Sequence, residues 1–239
     1  MGTTTQSLTL ITGAAGALGS AVAKHLLSLG QRLVLLDRPG QEQALDDLSA
    51  VAKDRCLAVS LDVSSHAQWQ AVLGKVQAQW GAPTGAALIA GGFAGGSAFH
   101  ESKPELLAQM LERNLTTAAT SLRAVVGAFV KHQRGSVVLV GARPAVRPWD
   151  GGTMAEYTTS KAAVVALMQA VASEVLEHGV RVNAVLPSAM DTAANRASMP
   201  KADFNRWVSV DSMAQVIAFL LSDAARDISG AALPVYGRS

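Results

Sequence analysis

Seven short apolar runs, separated by longer stretches of helical pattern, constrain the fold of this chain more than any other feature. The runs cover residues 8–12, 32–37, 56–62, 85–92, 136–142, 180–187 and 231–237. Between them, stretches such as 17–29 and 155–178 carry apolar residues three and four positions apart, which is typical of helices. Because the runs are apolar throughout, both faces of each strand should be buried. The sequence therefore predicts an α/β fold with a doubly wound, seven-stranded parallel sheet and helices on both faces.

Length and composition predict one domain over residues 1–239. A chain of this length can bury a full core, and no linker interrupts the pattern. Hydrophobic residues make up 49% of the chain and charged residues 16%, which favours a folded globular protein over a disordered one. The formal net charge is +2, and no lysine and arginine cluster forms the stripe that nucleic acid requires. We therefore expect a small-molecule partner and no nucleic acid.

Cysteine usage and the amino terminus bear on the compartment. Cys56 is the only cysteine, which excludes an intrachain disulfide and makes the reducing cytoplasm the expected location. The first ten residues lack the basic segment of a secretion signal, and no apolar run reaches the roughly 18 residues of a membrane-spanning helix. We expect no membrane association, and no metal site is predicted.

A glycine-rich turn follows the first predicted strand. Gly13, Gly16 and Gly19 are three positions apart in "LTLITGAAGALGSAVAKHLLSLG", where a strand leads through the turn into a helix. Such a turn lets the backbone approach a pyrophosphate, and the helix offers unpaired N–H groups and the positive end of its dipole. A tight turn that uses glycine only for packing is the alternative, because a lone glycine pattern is weak evidence.

Acidic residues close the second and third predicted strands. Asp37 lies 24 positions after Gly13, near the spacing of about 20 at which a carboxylate meets the adenosine ribose. This carboxylate favours NAD over NADP because it would repel a 2′-phosphate, whereas Arg38 could pair with that phosphate and keeps NADP possible. Asp62 and Val63 end the third strand and are candidates for contact with adenine, with a helix cap as the alternative for Asp62.

Tyr157 and Lys161 point to proton chemistry. Four positions separate them, so they share one face of the helix predicted after the fifth strand. The loops at 93–104, 143–152 and 189–205 follow the carboxyl ends of predicted strands, where open α/β sheets bind their ligands. A phenol and an ammonium at that edge indicate chemistry on a carbonyl or an alcohol.

Together these motifs resemble the short-chain dehydrogenase/reductase family over essentially the whole chain. The resemblance is carried by Thr12 to Gly19, Asp37, Asn114, the Tyr157-x-x-x-Lys161 spacing and "RVNAVLPSAMDT". It implies a single-domain Rossmann fold and an oxidoreductase dependent on NAD(P)(H), with NAD(H) favoured and NADP(H) possible. It assigns cofactor contacts to Gly13, Ala15, Gly16, Ala17, Leu18, Gly19, Asp37, Arg38, Asp62, Val63, Ala90, Gly91, Gly92, Tyr157, Lys161, Pro187, Met190 and Thr192.

The same resemblance implies a role for each catalytic residue. Tyr157 would be the general acid or base that exchanges a proton with the substrate oxygen as hydride is transferred. A free tyrosine has a pKa of about 10, so Lys161 and the positive nicotinamide of the oxidised cofactor would together favour the phenolate. Lys161 would also hold the nicotinamide ribose. Asn114 would position a water in the proton relay beside the lysine, with an interhelical hydrogen bond as the alternative.

Two departures from the family pattern concern the substrate. By register on the fifth strand, Ala142 stands where the family has its catalytic serine, so one oxyanion donor is missing. Loss of such a donor typically costs about 10²- to 10³-fold in rate for acyl chemistry. The stretch 88–91, which reads LIAG, lacks the two asparagines usual there. Both features resemble dihydropteridine reductase-like members of the family, whose electron-poor quinonoid substrates explain how a missing donor is tolerated.

Three interpretations of function follow. The first is an oxidoreductase for a quinonoid dihydropterin or another activated carbonyl-like substrate. The second is a ketone or 3-oxoacyl reductase in which Thr153 replaces the missing serine. The third is a cofactor-binding sensor that lost turnover through Ala142, against which the presence of Tyr157, Lys161 and Asn114 argues. The resemblance also implies a homo-oligomer, either a tetramer or a dimer.

Overall fold

A computed structural model describes residues 7–238, in which strands and helices alternate as the sequence predicts. In chain order the elements are β1 (Leu8–Thr12), α1 (Ala17–Ser28), β2 (Arg32–Asp37), α2 (Glu42–Ser49), β3 (Cys56–Ser60), α3 (His66–Trp80), β4 (Gly85–Leu88), α4 (Leu106–Met110), α5 (Thr117–Lys131), β5 (Gly135–Val140), α6 (Arg143–Val146), α7 (Ala155–Glu174), β6 (Val180–Pro187), β7 (Met190–Asp191), α8 (Ala193–Ser198), β8 (Val208–Ser209), α9 (Val210–Leu221) and β9 (Ala232–Val235).

Seven of these strands form a parallel sheet in the order β3-β2-β1-β4-β5-β6-β9. The chain moves outward from β1 to β3 and then crosses back to β4, so the strand order reverses between β1 and β4. In open α/β sheets a ligand crevice lies at such a reversal, outside the carboxyl ends of the strands. The predicted doubly wound Rossmann architecture is confirmed.

Helices cover both faces of the sheet, and each face has its own apolar core. One core contains buried residues of α3, α5 and α7, and the other contains buried residues of α1, α2 and α9. Val34 and Leu36 of β2 enter the first core, whereas Leu33 and Leu35 of the same strand enter the second. Successive side chains of a strand point to opposite faces, so burial on both sides requires the unbroken apolar runs seen in the sequence.

The predicted runs match β1, β2 and β6. The other four predicted runs extend past the carboxyl ends of their strands. The run 85–92, for example, is a strand only over Gly85–Leu88. There the N–H groups of Ile89 and Ala90 donate to Oγ1 of Thr12, at 3.0 Å and 3.2 Å, instead of extending the ladder. The runs 56–62, 136–142 and 231–237 likewise end early, as Cys56–Ser60, Gly135–Val140 and Ala232–Val235.

The helix bounds need a smaller correction. The predicted helix 17–29 ends at Ser28. The predicted helix 155–178 ends at Glu174 and is followed by a 3₁₀ turn, Leu176–His178, before Gly179 adopts φ +65°. Between α4 and α5 the chain forms a π-helical stretch, Leu111–Thr116, which the sequence does not indicate. Such wide turns occur mostly as single interruptions of α-helices and often at functional sites.

Three loops gather at the carboxyl edge of the sheet, as predicted. They follow β4, β5 and β6, and the last two contain the short helices α6 and α8. The two-residue strands β7 and β8 pair with each other beyond the main sheet. At one border of the main sheet lies β9, in which the exposed Pro234 is opposite Leu186.

Within residues 7–238 no helix has the length and apolar character needed to cross a membrane. Of the ten residues on which the expectation about a secretion signal rests, residues 1–6 lie outside the described residues. In the described part of the chain, no group of three or more histidine, cysteine, aspartate and glutamate side chains is placed to hold a metal ion.

Candidate active site

The glycine turn between β1 and α1 lies at the reversal of strand order. Gly13 has φ +68°, a left-handed conformation that favours glycine, and a Cβ there would lie 3.1 Å from the backbone nitrogen of Ala90. A Cβ at Gly19 would lie 2.1 Å from the carbonyl oxygen of Gly13. The helix begins at Ala17, and its N-cap residue Gly16 provides no side-chain cap. The turn is therefore closed tightly against the residues that follow β4, and the first N–H groups of α1 are open to a ligand.

The Asp37 carboxylate is fixed at the end of β2. One of its oxygens accepts a hydrogen bond from the Ala15 N–H (2.9 Å), and the other accepts from the Arg38 N–H (2.8 Å). The Ala15 N–H, a predicted cofactor contact, is thus donated to the carboxylate. These bonds hold the carboxylate beside the glycine turn, where dinucleotide-binding folds place the group that meets the ribose.

Tyr157 lies in the first turn of α7, and its ring packs edge-on against Phe93. The ring centres are 5.0 Å apart and the planes are inclined by 76°. Among residues 7–238 its hydroxyl has no hydrogen-bond partner. The ring of Tyr157 is thus partly buried, whereas its hydroxyl oxygen is available to a ligand.

Lys161 lies one turn further along α7 and is buried, with 6% of its surface exposed. Its ammonium donates to the carbonyl oxygen of Val140, at the end of β5, over 2.8 Å. A Cβ added to Gly91 would lie 3.5 Å from Nζ of Lys161 and 2.7 Å from Oδ1 of Asn114. Lys161 and Asn114 therefore meet beside the backbone of Gly91, where a larger residue would not fit. The loop after β4 and helix α7 are thus brought together, as predicted.

Asn114 lies in the π-helical stretch, and its side-chain amide is fully bonded. Its Oδ1 accepts from the Gly92 N–H (2.9 Å), and its Nδ2 donates to the Gly92 carbonyl (3.0 Å) and to Oγ of Ser160 (3.0 Å). Ser160 in turn donates to the carbonyl of Tyr157 over 2.8 Å. The side chain thus makes the interhelical hydrogen bond that was the alternative interpretation, and the water-positioning role stays a prediction.

Burial controls the ionisation of the tyrosine and the lysine. Loss of hydration raises the pKa of Tyr157 from 10.0 to about 12 and lowers the pKa of Lys161 from 10.5 to about 8. At neutral pH the phenol therefore keeps its proton, and most of the lysine is charged. The role of Lys161 in favouring the phenolate, which the resemblance implies together with the positive nicotinamide of the oxidised cofactor, stays a prediction.

Ala142 is buried and extended, directly before α6, at the carboxyl end of β5. No side-chain hydroxyl is present at this position. Thr153, the predicted replacement, is exposed and adopts the left-handed conformation with φ +60°. Its carbonyl accepts a hydrogen bond from the Gly96 N–H (2.8 Å), and within the described residues its hydroxyl has no partner. Replacement of the serine by Thr153 therefore stays a prediction.

Asp62 and Val63, which lie shortly after β3, take part in local hydrogen bonds. Asp62 accepts from the N–H and the hydroxyl of Ser64, which lowers the pKa of its carboxyl. It does not cap α3, whose N-cap is Ser65, so that alternative is wrong. The Val63 carbonyl accepts from Nε1 of Trp69 over 3.0 Å. Contact of either residue with adenine stays a prediction.

The predicted contacts after β6 lie at the same edge of the sheet. Pro187 ends β6, Met190 lies in β7, and the Oγ1 atom of Thr192 caps α8 by accepting from the Asn195 N–H (3.2 Å). The Asn195 amide also donates to the Met190 carbonyl over 2.8 Å. A depression of about 470 Å³ opens at the opposite edge of the sheet but is lined by none of the predicted site residues.

Sequence reasoning missed three contacts that position the tyrosine and the lysine. Phe93 was placed on a loop at this edge, but nothing in the sequence indicated that its ring meets Tyr157. The Val140 carbonyl is a backbone group and carries no side-chain signal. Ser160 could have been found from its place one residue before Lys161, had the orientation of Asn114 been known.

These residues fit a nicotinamide dinucleotide. The uncapped start of α1 suits a pyrophosphate, and the fixed Asp37 carboxylate suits a ribose. A family model described as short chain dehydrogenase matches residues 7–203. The chain belongs to the short-chain dehydrogenase family. Like other members of this family, it is an NAD(P)-dependent oxidoreductase.

Curated short-chain dehydrogenases match this chain over nearly its whole length. A 2,5-dichloro-2,5-cyclohexadiene-1,4-diol dehydrogenase of Sphingobium indicum is 29% identical, over 95% of this chain and 94% of that protein. A 1,6-dihydroxycyclohexa-2,4-diene-1-carboxylate dehydrogenase of Acinetobacter baylyi is also 29% identical, with the same coverage. A 3-oxoacyl-(acyl-carrier-protein) reductase of Escherichia coli is 27% identical, over 96% of both chains.

Solved structures of short-chain dehydrogenases show the same fold. A 3-ketoacyl-(acyl-carrier-protein) reductase from Brucella melitensis, complexed with NADH, has a TM-score of 0.85 and 26% identity, covering 98% of both chains. A levodione reductase has a TM-score of 0.87 and 26% identity, covering 97% of this chain and 96% of the other.

Proposed function

We propose that this chain transfers hydride between NAD(H) and an alcohol or carbonyl carbon of a small, activated ring. One observation carries the proposal. The Tyr157 hydroxyl has no partner among residues 7–238 and, because its pKa is about 12, holds its proton at the edge where the predicted cofactor contacts gather. Behind it, the Lys161 ammonium is fixed by the Val140 carbonyl.

In this proposal, the tyrosine moves the proton and the lysine supplies positive charge. Once bound, the nicotinamide ring would supply or accept the hydride, and its oxidised form would bring positive charge close to the phenol. In reduction, Tyr157 donates its proton to the substrate oxygen as the carbonyl carbon gains hydride. In oxidation, the phenolate takes the hydroxyl proton as the carbon loses hydride. Lys161 stabilises the negative charge that the phenol bears after donating its proton.

Ala142 limits the substrates that this arrangement can handle. With no hydroxyl there to donate to the developing oxyanion, an ordinary ketone should react slowly, by about 10²- to 10³-fold on the scale measured for such donors. A ring that gains aromaticity in the reaction needs less help. The cyclohexadiene diols named for two relatives are rings of this kind. Oxidation of one ring alcohol gives a dienone, which becomes aromatic when a ring proton moves to its oxygen in the dichloro diol and when CO₂ is lost from the carboxylate.

A quinonoid dihydropterin is the second ring substrate that the proposal includes. The alanine at 142 and the loss of both asparagines in 88–91 support membership in a dihydropteridine reductase-like group. Electron-poor quinonoid rings are reduced to aromatic ones, so the same reasoning about the missing donor applies in the reducing direction.

A 3-oxoacyl reductase is the alternative, favoured by the relative from Escherichia coli. It requires Thr153 to supply the hydroxyl that Ala142 lacks. Thr153 lies four residues before Tyr157 and is exposed, so its hydroxyl is accessible. Thr153→Val would abolish 3-oxoacyl reduction under this alternative and leave turnover of a ring substrate unchanged under the main proposal.

We predict that Tyr157→Phe lowers turnover by at least about 10²-fold, because it removes the only proton that the proposed mechanism transfers. The measurement follows the nicotinamide absorbance with a panel of cyclohexadiene diols plus NAD⁺, and quinonoid dihydropterin, quinones and 3-oxoacyl esters plus NADH. NADH affinity, measured by fluorescence titration, should change little. Full turnover by the variant would contradict the mechanism.

Ala142→Ser provides the matched gain-of-function variant. If the missing donor limits the enzyme, the added hydroxyl should raise ketone reduction while changing ring turnover less. Binding of NADH without turnover of any substrate, by the natural chain and by this variant, would instead support the sensor interpretation.

The remaining expectations belong to the same proposal. The fixed Asp37 carboxylate supports a preference for NAD(H) over NADP(H). The family resemblance supports a homo-oligomer, a tetramer or a dimer, and the single cysteine supports a cytoplasmic location. The chain is proposed to act as one domain over residues 1–239 on a small-molecule substrate.

A further inference from the structure

Two arginines meet one aspartate on the segment between β5 and α7. Nε of Arg143 and Nε of Arg147 both lie against the same oxygen of Asp150, at 3.1 Å and 3.0 Å. The three side chains together leave one positive charge uncompensated. Arg143 and Asp150 have 28% and 20% of their side chains exposed, whereas Arg147 is 60% exposed. The excess charge thus lies partly out of water, where its attraction for an anion is stronger.

Arg143 lies at the edge of the sheet that carries the candidate active site. Arg143 follows Ala142 directly, so it stands beside the position where the oxyanion donor is missing. Its Cζ atom lies 5.8 Å from the centre of the Tyr236 ring. The Tyr236 carbonyl accepts a hydrogen bond from the hydroxyl of Ser188, the residue after β6, over 2.7 Å. Arg143 therefore lies close to the segment that follows β9, which is itself bonded to the segment that follows β6.

Arg143 retains hydrogen-bond donors that the fold does not use. Its Nε donates to Asp150, and among residues 7–238 its two terminal amino groups have no hydrogen-bond partner. A guanidinium presents its N–H groups in a planar fork that matches the two oxygens of a carboxylate. Asp150 fixes the guanidinium through Nε and leaves the N–H groups of its two terminal nitrogens unused.

We propose that Arg143 binds a carboxylate of the substrate and thereby selects acidic rings over neutral ones. This inference rests on the function proposed above, because it assigns the substrate of that same site. Arg143 positions the ring, and Tyr157 performs the proton transfer. If Arg143 only held its loop through Asp150, the enzyme would not distinguish acidic from neutral rings.

The kinetic test compares two ring substrates that differ in one group. The probes are 1,6-dihydroxycyclohexa-2,4-diene-1-carboxylate and the corresponding diol without the carboxylate, each with NAD⁺. The natural chain should prefer the acid in kcat/KM by about 10- to 100-fold, the usual worth of a hydrogen bond to a charged group. Arg143→Gln should abolish the preference, mainly through a higher KM, and Arg143→Lys should restore part of it.

Arg147→Gln is the matched control, because it removes a contact to the same oxygen of Asp150 from a more exposed arginine. It should keep most of the preference for the acid. Equal kcat/KM for the two diols, or equal losses in the Arg143→Gln and Arg147→Gln variants, would overturn the inference while leaving the proposed function intact.

A binding measurement separates this inference from the proposed function. The natural chain saturated with NAD⁺ is titrated with benzoate and with benzamide by calorimetry. Benzoate should bind at least about 10-fold more tightly, and the difference should disappear in the Arg143→Gln variant. If no diol is oxidised yet benzoate is still selected through Arg143, the proposed reaction is wrong and the carboxylate site stands. Equal binding of the two probes would reject the site.

Discussion

Lys161 holds a charge in a place with almost no water. Among residues 7–238 its ammonium has one hydrogen-bond acceptor, the Val140 carbonyl, and burial lowers its pKa to about 8. Folding therefore carries a cost at neutral pH, where the lysine must enter the interior in its charged form. Above pH 8 the folded protein releases this proton, whereas the unfolded chain keeps it until about pH 10.5. In that window the unfolded state binds more protons, so stability rises with pH.

We predict that Lys161→Met removes this increase of the free energy of unfolding with pH. The free energy of unfolding of the natural chain, relative to the variant, should increase by about 1 kcal/mol per pH unit between pH 8 and 9.5, with a total limit of about 3 kcal/mol. Tyr157 does not obscure the effect, because its raised pKa reduces stability only above pH 10. Urea unfolding at several pH values measures the difference. The exposed Lys131→Met is the control, and parallel curves for Lys161→Met and the natural chain would contradict the prediction.

The identity of the reacting side chains could be read from the sequence, but their surroundings could not. A spacing of four on a helix is enough to place Tyr157 and Lys161 on one face. The effect of burial on their pKa values depends on how the loop after β4, with Phe93 and Gly91, covers them. That covering results from contacts far apart in the chain, which no local pattern indicates.

Among the elements, strand starts and helix starts followed the sequence more closely than strand ends. Apolar runs continue past the end of a strand because the following residues are buried as well. The end itself is decided by where backbone N–H groups find their partners. At β4 that partner is the Thr12 side chain, 77 positions away from Ile89. The π-helical stretch was missed for the same reason, since it is favoured by the bonds of Asn114 rather than by local propensity.

The start of α1 provides the prediction at this scale. Gly19→Ala should destabilise the protein by about 1–3 kcal/mol and weaken NADH binding, because the new Cβ would lie 2.1 Å from the Gly13 carbonyl and 2.8 Å from Cα of Ala14, both backbone atoms. Urea unfolding and fluorescence titration with NADH measure the two effects.

Gly74→Ala is the matched control, because Gly74 lies inside α3 and a Cβ there has no neighbour within 4 Å. It should stabilise the protein by about 0.5–1 kcal/mol through helix propensity and leave NADH binding unchanged. Similar stability changes in the two variants would show that the turn is not as tightly closed as described.

At the scale of the whole molecule, strand order follows from rules that the sequence could supply. Alternating strands and helices lead to a parallel sheet, and parallel connections cross over with one hand. The site draws residues from β1, β2, β4, β5, α7 and the loop after β6, so it exists only when the sheet is complete. The family resemblance, rather than strand and helix pattern, supplied the chemistry of the site.

The single-domain interpretation predicts one cooperative unfolding transition. Because most strands of the sheet contribute residues to the site, NADH should shift that transition as a unit, by about 2.7 kcal/mol at a concentration 100 times its dissociation constant. NADPH at the same concentration should shift it less, because the Asp37 carboxylate repels the 2′-phosphate. Differential scanning calorimetry measures both effects. Two separate transitions, of which only one responds to NADH, would contradict the interpretation.

Pro234 has a consequence for how copies of this protein can meet. The backbone carbonyls of Ala231 and Val235 accept hydrogen bonds from β6 and the residue after it. The backbone groups of odd-numbered residues in β9 therefore point toward β6, and those of Pro234 point away from the sheet. Proline has no N–H, so the outer side of β9 lacks one backbone hydrogen-bond donor at Pro234. An incoming strand could not dock there in an unbroken ladder. Edge-to-edge pairing with a strand of another copy is therefore disfavoured at this side of the sheet.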